Sequence, residues 1–575
     1  MSMAQNKSIA DKLLLFPLGG IARVTQNMYV YQYREEMLLF DCGIGFPDIQ
    51  MPGADILIPD ISYLKQQLSL GKKIVGQVLT HGHDDHIAAL PYLLPSLPDF
   101  PIYASKLTAG FASNRLLDAG NVHPIEVLQD RQRLQIGQYF AITPFALTHS
   151  VPDTKHFLLE TPVGNIYHGS DFKLDEAPVD GMLPDYEFIK QIKNKGISLM
   201  LTDSLGVEKD EWTKSESSVK DQLLAEMTQV KGKILVTLMS SNIHRIKQVW
   251  DAAAKIKRRV ALIGRSVEQN VNTAMELGFI SDNSGVLINK REIKDYADEQ
   301  LVLIIAGSQG QEGSSLVRAI YGSHREIHLT DGDKVIFSAD AIPGNELSYY
   351  GAIDELCING IAVVYPAINA GIHQSGHARR RELKELLTLV SPKCVMPIGG
   401  NNRHRVMYRQ LVAAPLGYQK QQVILPQEGD ILSLNSQGVI AKAGNVNLRP
   451  QIVDGLGIGD VGPAVLSDRR ALGQAGMIIV LIKRYKNKKQ AGSVVLAKHN
   501  LALQDIRVIS RGFVFMKGAD NVLTFIKQKT GQLAGKFFDP QKIEQSERAI
   551  EKGLARELFQ IIAREPMIEV EVVEV

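Results

Sequence analysis

Apolar and β-branched residues recur in short blocks separated by turn-forming residues, and the blocks change character along the chain. Lys73-Ile74-Val75-Gly76-Gln77-Val78-Leu79-Thr80 reads as a buried strand, and His86-Ile87-Ala88-Ala89-Leu90 opens a helical pattern. Similar apolar runs end at Phe40, Leu147 and Tyr167. Up to about residue 210 strands alternate with turns and occasional helices, as in a layered α/β sandwich. Between 211 and 377, five short apolar blocks (233–238, 259–263, 301–306, 334–338 and 361–365) are separated by helical stretches, which predicts a second, mainly parallel sheet. The first pattern resumes over 378–450. Glycines and prolines without periodicity predict a linker over 451–468, and a compact α+β tail follows over 469–575. In that tail 477–483, 493–497, 507–510 and 567–573 read as strands and 541–563 as one long helix. The alternation of Ile568, Val570 and Val572 argues a half-buried final strand.

Composition bounds the class without identifying it. A chain of 575 residues with 45% hydrophobic content is long enough for several cores. No run of about 18 apolar residues and no charged-then-apolar leader occurs, so neither a membrane span nor a secretory signal is expected and the chain is assigned to the cytoplasm. Cys42, Cys357 and Cys394 are too few and too scattered for a disulfide framework and are read as small apolar side chains in a reducing compartment. The net charge of +2 says little about polyanionic partners, so a phosphate-tracking surface must be local. Basic clusters stand at Lys255-Ile256-Lys257-Arg258-Arg259, Arg379-Arg380-Arg381 and Lys483-Arg484-Tyr485-Lys486-Asn487-Lys488-Lys489; the last is expected to cap a hairpin.

The densest chemistry lies in Thr80-His81-Gly82-His83-Asp84-Asp85-His86, on the turn between the predicted strand and helix. Imidazole nitrogens and carboxylate oxygens suit zinc or manganese, and a bend there lets His81 and His83 face one metal while Asp85 and His86 face a second. Two metals need more ligands than one turn supplies. His149 and Asp171 each follow an apolar run, and Asp41 follows another.

The ordered set Asp41, His81-x-His83-x-Asp85-His86, His149, Asp171 resembles the metallo-β-lactamase fold, an αββα sandwich with metals at one edge. Ile58-Pro59-Asp60-Ile61-Ser62-Tyr63-Leu64, Thr148-His149-Ser150-Val151-Pro152-Asp153 and Ser170-Asp171-Phe172-Lys173 look like segments of ribonuclease J. So do Leu201-Thr202-Asp203-Ser204, Ser240-Ser241-Asn242-Ile243-His244-Arg245, Gly264-Arg265-Ser266, Gly307-Ser308-Gln309-Gly310, Ile342-Pro343-Gly344-Asn345-Glu346 and His373-Gln374-Ser375-Gly376-His377-Ala378. These fall in or beside the region where that family carries an inserted β-CASP domain.

The resemblance implies a metal-dependent phosphodiesterase acting on single-stranded RNA in rRNA processing and mRNA decay. It implies 5′-to-3′ exonuclease action favouring a 5′-monophosphate, together with endonuclease activity. It further implies a homodimer or homotetramer supported by the tail. Two Zn2+ ions per chain are expected, with Mn2+ or Mg2+ as substitutes. His81, His83, His149 and Asp171 would hold the first metal, and Asp85, His86 and Asp171 the second. Asp41 would orient ligands from behind. His377 would protonate the leaving oxygen, held by Asp203. Ser241, Asn242, His373, Gln374, Ser375 and Gly376 would line the substrate-phosphate site with His377. Of the basic clusters, which otherwise read as solvated faces, Arg379 to Arg381 is the best placed to contact RNA, since it lies just past His377. One stretch departs: where the family has a proline-valine-histidine-glycine-glutamate run, this chain has Pro397-Ile398-Gly399-Gly400-Asn401, and Gly399 stands where a metal-binding histidine is expected, so the second site is expected to be weaker, with His404 as a conceivable substitute. An impaired RNA-binding or assembly paralogue, a DNA-directed β-CASP nuclease and a thioester or lactam hydrolase are the competing readings.

Overall fold

The computed structural model describes residues 11–48, 50–455, 457–485, 496–497, 501–513 and 519–575. It forms two compact units, 1–46 with 57–451 and 47–56 with 452–575.

In the first unit two sheets lie face to face. One has eight strands; Leu13–Pro17, Tyr29–Tyr33, Glu36–Phe40, Lys73–Val78, Ile102–Ala104 and Ile125–Val127 come from the amino-terminal part, and Asp430–Leu434 and Ile440–Asn445 return to its edge late in the chain. The other has six: Leu134–Ile136, Phe140–Ala146, Lys155–Thr161, Gly164–His168, Ile197–Asp203 and Cys394–Ile398. Their facing side chains, among them Leu38, Phe40, Val78, Phe157, Leu199, Leu201 and Met396, make one continuous apolar core. On the outer face of the six-stranded sheet, Phe188, Ile189 and Ile192 of the helix Tyr186–Asn194 pack with Leu383, Leu386 and Leu387 of the helix Arg380–Val390. The helices Ser62–Ser69 and Lys106–Asp118 adjoin strands of the eight-stranded sheet. The αββα sandwich expected from the resemblance is thus present, and it carries an insertion.

The insertion is a five-stranded sheet in the order Arg259–Ile263, Leu301–Ile305, Ile234–Thr237, Lys334–Phe337, Ala362–Val364, all pairs parallel. Parallel strands need crossovers, and helices such as Ile243–Lys255 and Arg265–Glu276 supply them. The near-continuous burial of Leu301–Ile305 and Ile234–Thr237 reflects cover on both faces.

The second unit contains a four-stranded sheet in the order Leu496–Ala497, Leu501–Arg511, Met477–Arg484, Met567–Glu574. Val570 and Val572 are buried while Glu569 and Glu571 are exposed, so the final strand is half-buried. Two readings need correction here. The expected single helix is preceded by another: Ala519–Phe537 as well as Ile543–Ile562, with Ile526 packed among Ile550, Leu554 and Leu558. The segment expected as a linker carries the strand Gln451–Asp454 and the start of the helix Pro463–Ala475, in which the proline occupies the first turn, where no backbone N–H is required. The predicted strand at 493–497 is described only at Leu496–Ala497, and the cluster beginning at Lys483 lies outside the described residues from 486 onward.

Candidate metal centre

The site is a consequence of strand direction. Gly164–His168, Ile197–Asp203 and Cys394–Ile398 run parallel side by side, so Asp171, Asp203 and Gly399 emerge at one edge of their sheet. Phe140–Ala146 runs in the same sense, two antiparallel steps away from Gly164–His168, and delivers His149 to that edge. In the facing sheet Glu36–Phe40 and Lys73–Val78 are also parallel and end at Asp41 and at the histidine turn. The helix on that turn begins earlier than the apolar pattern predicts: it spans Asp84–Ile87, with acidic residues in its first turn where the helix dipole favours them.

His81 Nε2 and His149 Nε2 lie 3.2 Å and 3.1 Å from His83 Nδ1, and Asp171 Oδ2 is 3.8 Å from His81 and 3.9 Å from His149. The non-converging nitrogens are occupied. His149 Nδ1 donates to the Gly376 carbonyl at 2.7 Å, and the Thr80 hydroxyl, which donates to Asp41, accepts from His81 Nδ1. Burial first, then the neighbouring imidazoles, holds His81 and His149 well below the usual histidine range, and burial pushes His83 down to about 3. Three neutral imidazoles therefore aim lone pairs at one point. Ligands around a tetrahedral zinc sit about 3.3 Å apart, so this donor set fits a divalent cation.

Asp85, His86 and Asp171 form a second group, with His86 Nε2 3.6 Å from a carboxylate oxygen of each acid. His86 Nδ1 donates to Asp41 Oδ2 at 2.8 Å, which turns Nε2 toward Asp85 and Asp171; burial opposes a charge on the ring, but Asp41, Asp85 and Asp171 outweigh it and hold His86 well above the usual histidine range in the metal-free chain. Asp41 is fixed in turn by the Thr80 N–H at 2.8 Å and adopts a left-handed backbone (φ 56°) to reach both partners. Burial raises the Asp171 carboxyl, but His377 and His86 outweigh it and hold it ionised; burial pushes Asp85 up to about 6.

Asp171, Asp203 and His377 make a third group that shares the same Asp171 carboxylate. His377 Nδ1 is 2.7 Å from Asp203 Oδ2, and the other Asp203 oxygen accepts from the Leu205 N–H at 2.8 Å. Gly399 adjoins this group: a Cβ there would stand 3.4 Å from one oxygen of Asp171 and one of Asp203. His404 does not replace the absent side chain. Its Nδ1 accepts from the Asn401 N–H at 3.2 Å, closing the first turn of its own helix, and its Nε2 faces Glu208 at 3.7 Å.

A cleft of about 390 Å3 extends from His83, Asp85 and Asp171 to the carboxyl ends of the inserted sheet. Ser241, Asn242, His373, Gln374, Ser375, Gly376 and His377 all line it, as do Ser266, Ser308 and Asp340. Asn242 also caps the helix Ile243–Lys255 by accepting from the Arg245 N–H, so its amide nitrogen is the group left for a ligand. Gly376 has no room for a side chain, since a Cβ would meet His149 and Ser150 at 2.8 Å.

Several participants escaped the sequence reading. Arg245, buried, grips Glu216 through two nitrogens at 2.8 Å and 2.6 Å, and reaches His373 Nδ1 and the Gln374 carbonyl. Asn27 Nδ2 stands 3.1 Å from His86 Nε2, and Ser150 Oγ 3.1 Å from His83 Nε2. Nothing in the spacing marks Asn27; Arg245 stood inside a motif but carried no sign of burial. The arginine cluster is not a free surface: Arg379 pairs with Glu211, Arg380 donates to the carbonyls of Val207 and Glu208, and Arg381 alone of the three is largely exposed. Cys42 is buried, Cys394 half-buried and Cys357 exposed, and all three are free thiols. No helix among the described residues is long and apolar enough to cross a membrane.

Three family models match the chain: the metallo-beta-lactamase superfamily over residues 21–166, the beta-CASP domain of ribonuclease J over 231–356, and the ribonuclease J C-terminal domain over 464–575. Ribonuclease J of Thermus thermophilus is 33% identical over 97% of this chain and 94% of that protein, and ribonuclease J2 of Bacillus subtilis is 30% identical over 98% of each. A crystal structure of an Enterococcus faecalis protein of unknown function covers 74% of this chain at 16% identity with a TM-score of 0.51, a likeness of fold alone.

Proposed function

The chain belongs to the ribonuclease J family and is a metal-dependent ribonuclease, and from that premise we propose that it degrades single-stranded RNA 5′-to-3′ from a monophosphorylated end and also cuts internally. The observation that carries the reading is the shared Asp171 carboxylate, common to both metal-binding groups and to the His377–Asp203 pair. The proposed ligands are His81, His83, His149 and Asp171 for one Zn2+, and Asp85, His86 and Asp171 for another, with Mn2+ as the alternative ion. When bound, such metals lower the pKa of a water and neutralise phosphate charge.

The protein side of the reaction is proton management and positioning. Burial opposes a charge on His377, but Asp203 and Asp171 outweigh it and push its pKa up to about 9. In the metal-free chain the ring therefore carries both protons near neutral pH, one shared with Asp203 and one on Nε2, 3.9 Å from Asp171 Oδ2. That second proton is available to a leaving 3′-oxygen. Asp41 orients His86 with Nε2 toward Asp85 and Asp171, and the Gly376 carbonyl holds His149 in its ligating tautomer. Ser241, Asn242, His373 and Ser375 are proposed to hold substrate phosphate across the cleft, with hydroxyl and N–H donors at the carboxyl ends of parallel strands.

The second unit is proposed to support a homodimer, and the reaction to take place in the cytoplasm. An assembly subunit without catalysis and a DNA-directed nuclease are less favoured, because both candidate metal groups and the His377–Asp203 pair converge on Asp171 beside the cleft, and the relatives are ribonucleases J. End-labelled linear RNA and a circular RNA of the same sequence test the two modes. Release of 5′ mononucleotides from the linear substrate supports the exonuclease, linearisation of the circle supports the endonuclease, and turnover of neither refutes the proposal.

A further inference from the structure

The wall of the cleft facing His373 carries an acid. Asp340 follows the strand Lys334–Phe337, and the buried Gln309 side chain fixes its loop from both sides: Nε2 donates to the Asp340 carbonyl at 2.9 Å and Oε1 accepts from the Ile342 N–H at 2.7 Å. So held, the Asp340 carboxylate lies 3.6 Å from His373 Nε2 and remains 60% exposed to the cleft.

His373 is itself set by its other nitrogen. The Arg245 guanidinium has only donors, so Nδ1 must accept and the ring proton sits on Nε2, pointing to the side where Asp340 stands. Burial, then the Arg245 charge, holds this ring well below the usual histidine range and therefore neutral. Of the cations that face Asp340, Lys209 comes first, beyond ion-pair distance, while Arg245 is matched by Glu216 and Arg379 by Glu211; Lys173, which faces His373, is matched by Asp175 at 3.3 Å. Among the described residues no lysine or arginine lies within 4.0 Å of Asp340.

We propose that Asp340 is a specificity residue whose carboxylate opposes negative charge at the RNA 5′ end, restraining the preference for 5′-phosphorylated over 5′-hydroxylated ends. The inference rests on the proposed role of His373 and Ser375 as phosphate donors. A phosphate accepting from His373 Nε2 brings its charge to within roughly 5 Å of a carboxylate in a partly desolvated wall, where like charges repel appreciably. A 5′-hydroxyl end meets no such penalty, and a triphosphate meets a larger one.

The test is binding in the presence of chelator, which stops cleavage. The affinities of one short oligoribonucleotide bearing a 5′-phosphate or a 5′-hydroxyl are compared by fluorescence anisotropy for the wild-type chain, Asp340→Asn and Asp340→Ala. Both substitutions are expected to raise the phosphate-to-hydroxyl affinity ratio about five- to tenfold, a size set by a partly exposed like-charge pair. Affinity for the hydroxylated oligomer should stay within about twofold, since only the phosphorylated end meets the carboxylate. Inorganic phosphate should compete for the phosphorylated oligomer. If phosphate competes but neither substitution moves the ratio, the role of Asp340 is wrong and the phosphate site stands. If wild type and variants bind both ends alike and phosphate does not compete, the phosphate site fails and the inference with it.

Discussion

The Nδ1 nitrogen of His377 lies 2.7 Å from a carboxylate oxygen of Asp203, a residue fully buried at the end of the strand Ile197–Asp203. The pair joins the inserted region to the metal edge of the sandwich and sets when His377 can give up a proton.

In metal-free protein His377 should stay protonated up to about pH 9. Its folded value lies above the unfolded value of ~6.5, so its contribution to stability is fully present below that pH and is lost as pH rises through about 9. Asp203→Asn removes a carboxylate that raises the value, so the titration should move down. Histidine NMR titration reads this directly; an unmoved midpoint would show that Asp203 does not govern the proton.

With metals loaded, His377→Ala should lower kcat by about 10²–10⁴, the range for loss of a general acid. KM for RNA and bound metal should change little. Comparable losses of metal and of kcat would instead make His377 a ligand.

Metal content should follow the sharing pattern. His149→Ala is expected to lose the first ion and His86→Ala the second, while Asp171→Ala weakens both, because its carboxylate belongs to both groups. Elemental analysis after gel filtration distinguishes these patterns. Retention of both ions by Asp171→Ala would remove the bridge from the site.

Gly399→His should tighten the second ion and raise turnover. The glycine has φ +64°, so a histidine there costs about 1–2 kcal/mol of backbone strain, while its Cβ at 3.4 Å from Asp171 and Asp203 fits without displacing backbone. Calorimetric titration with zinc and a thermal melt of the metal-free protein give the two readings. An unchanged second affinity would mean that the missing histidine is not what weakens the site.

Arg245→Ala leaves Glu216 buried with only Lys173, 3.8 Å away, as a counter-charge and should destabilise the first unit by about 3–5 kcal/mol, measured by urea unfolding. A loss below about 1 kcal/mol, typical of an exposed pair, would show that the network is solvated.

The clustering of the proposed ligands was legible in the sequence because strand ends convert spacing into position. Once Met37–Phe40 and the run to Thr80 are strands, Asp41 and His81–His86 have one edge to occupy. The five parallel strands of the insertion were legible for a similar reason: each is a short apolar run bounded by helix. What stayed hidden depends on contacts between distant segments. Asn27 reaches His86 across 59 positions and Arg245 reaches His373 across 128, and neither has a periodic signature. The helix Ala519–Phe537 was missed because its Gly531, Gly535, Lys and Gln residues dilute the apolar stripe, although Ile526 and Ala534 are buried. The arginines after His377 read as a surface because charge alone does not reveal that Glu211 absorbs Arg379 and two backbone carbonyls absorb Arg380.

The most direct test of the two-metal ribonuclease is cleavage of a 5′-labelled single-stranded RNA by the purified chain, titrated with Zn2+ or Mn2+ after chelation. The account predicts no cleavage in chelator, recovery as about two ions per chain bind, and no recovery in Asp171→Ala. A chain that binds both ions and leaves the RNA intact, or cleaves it equally well in chelator, would contradict it.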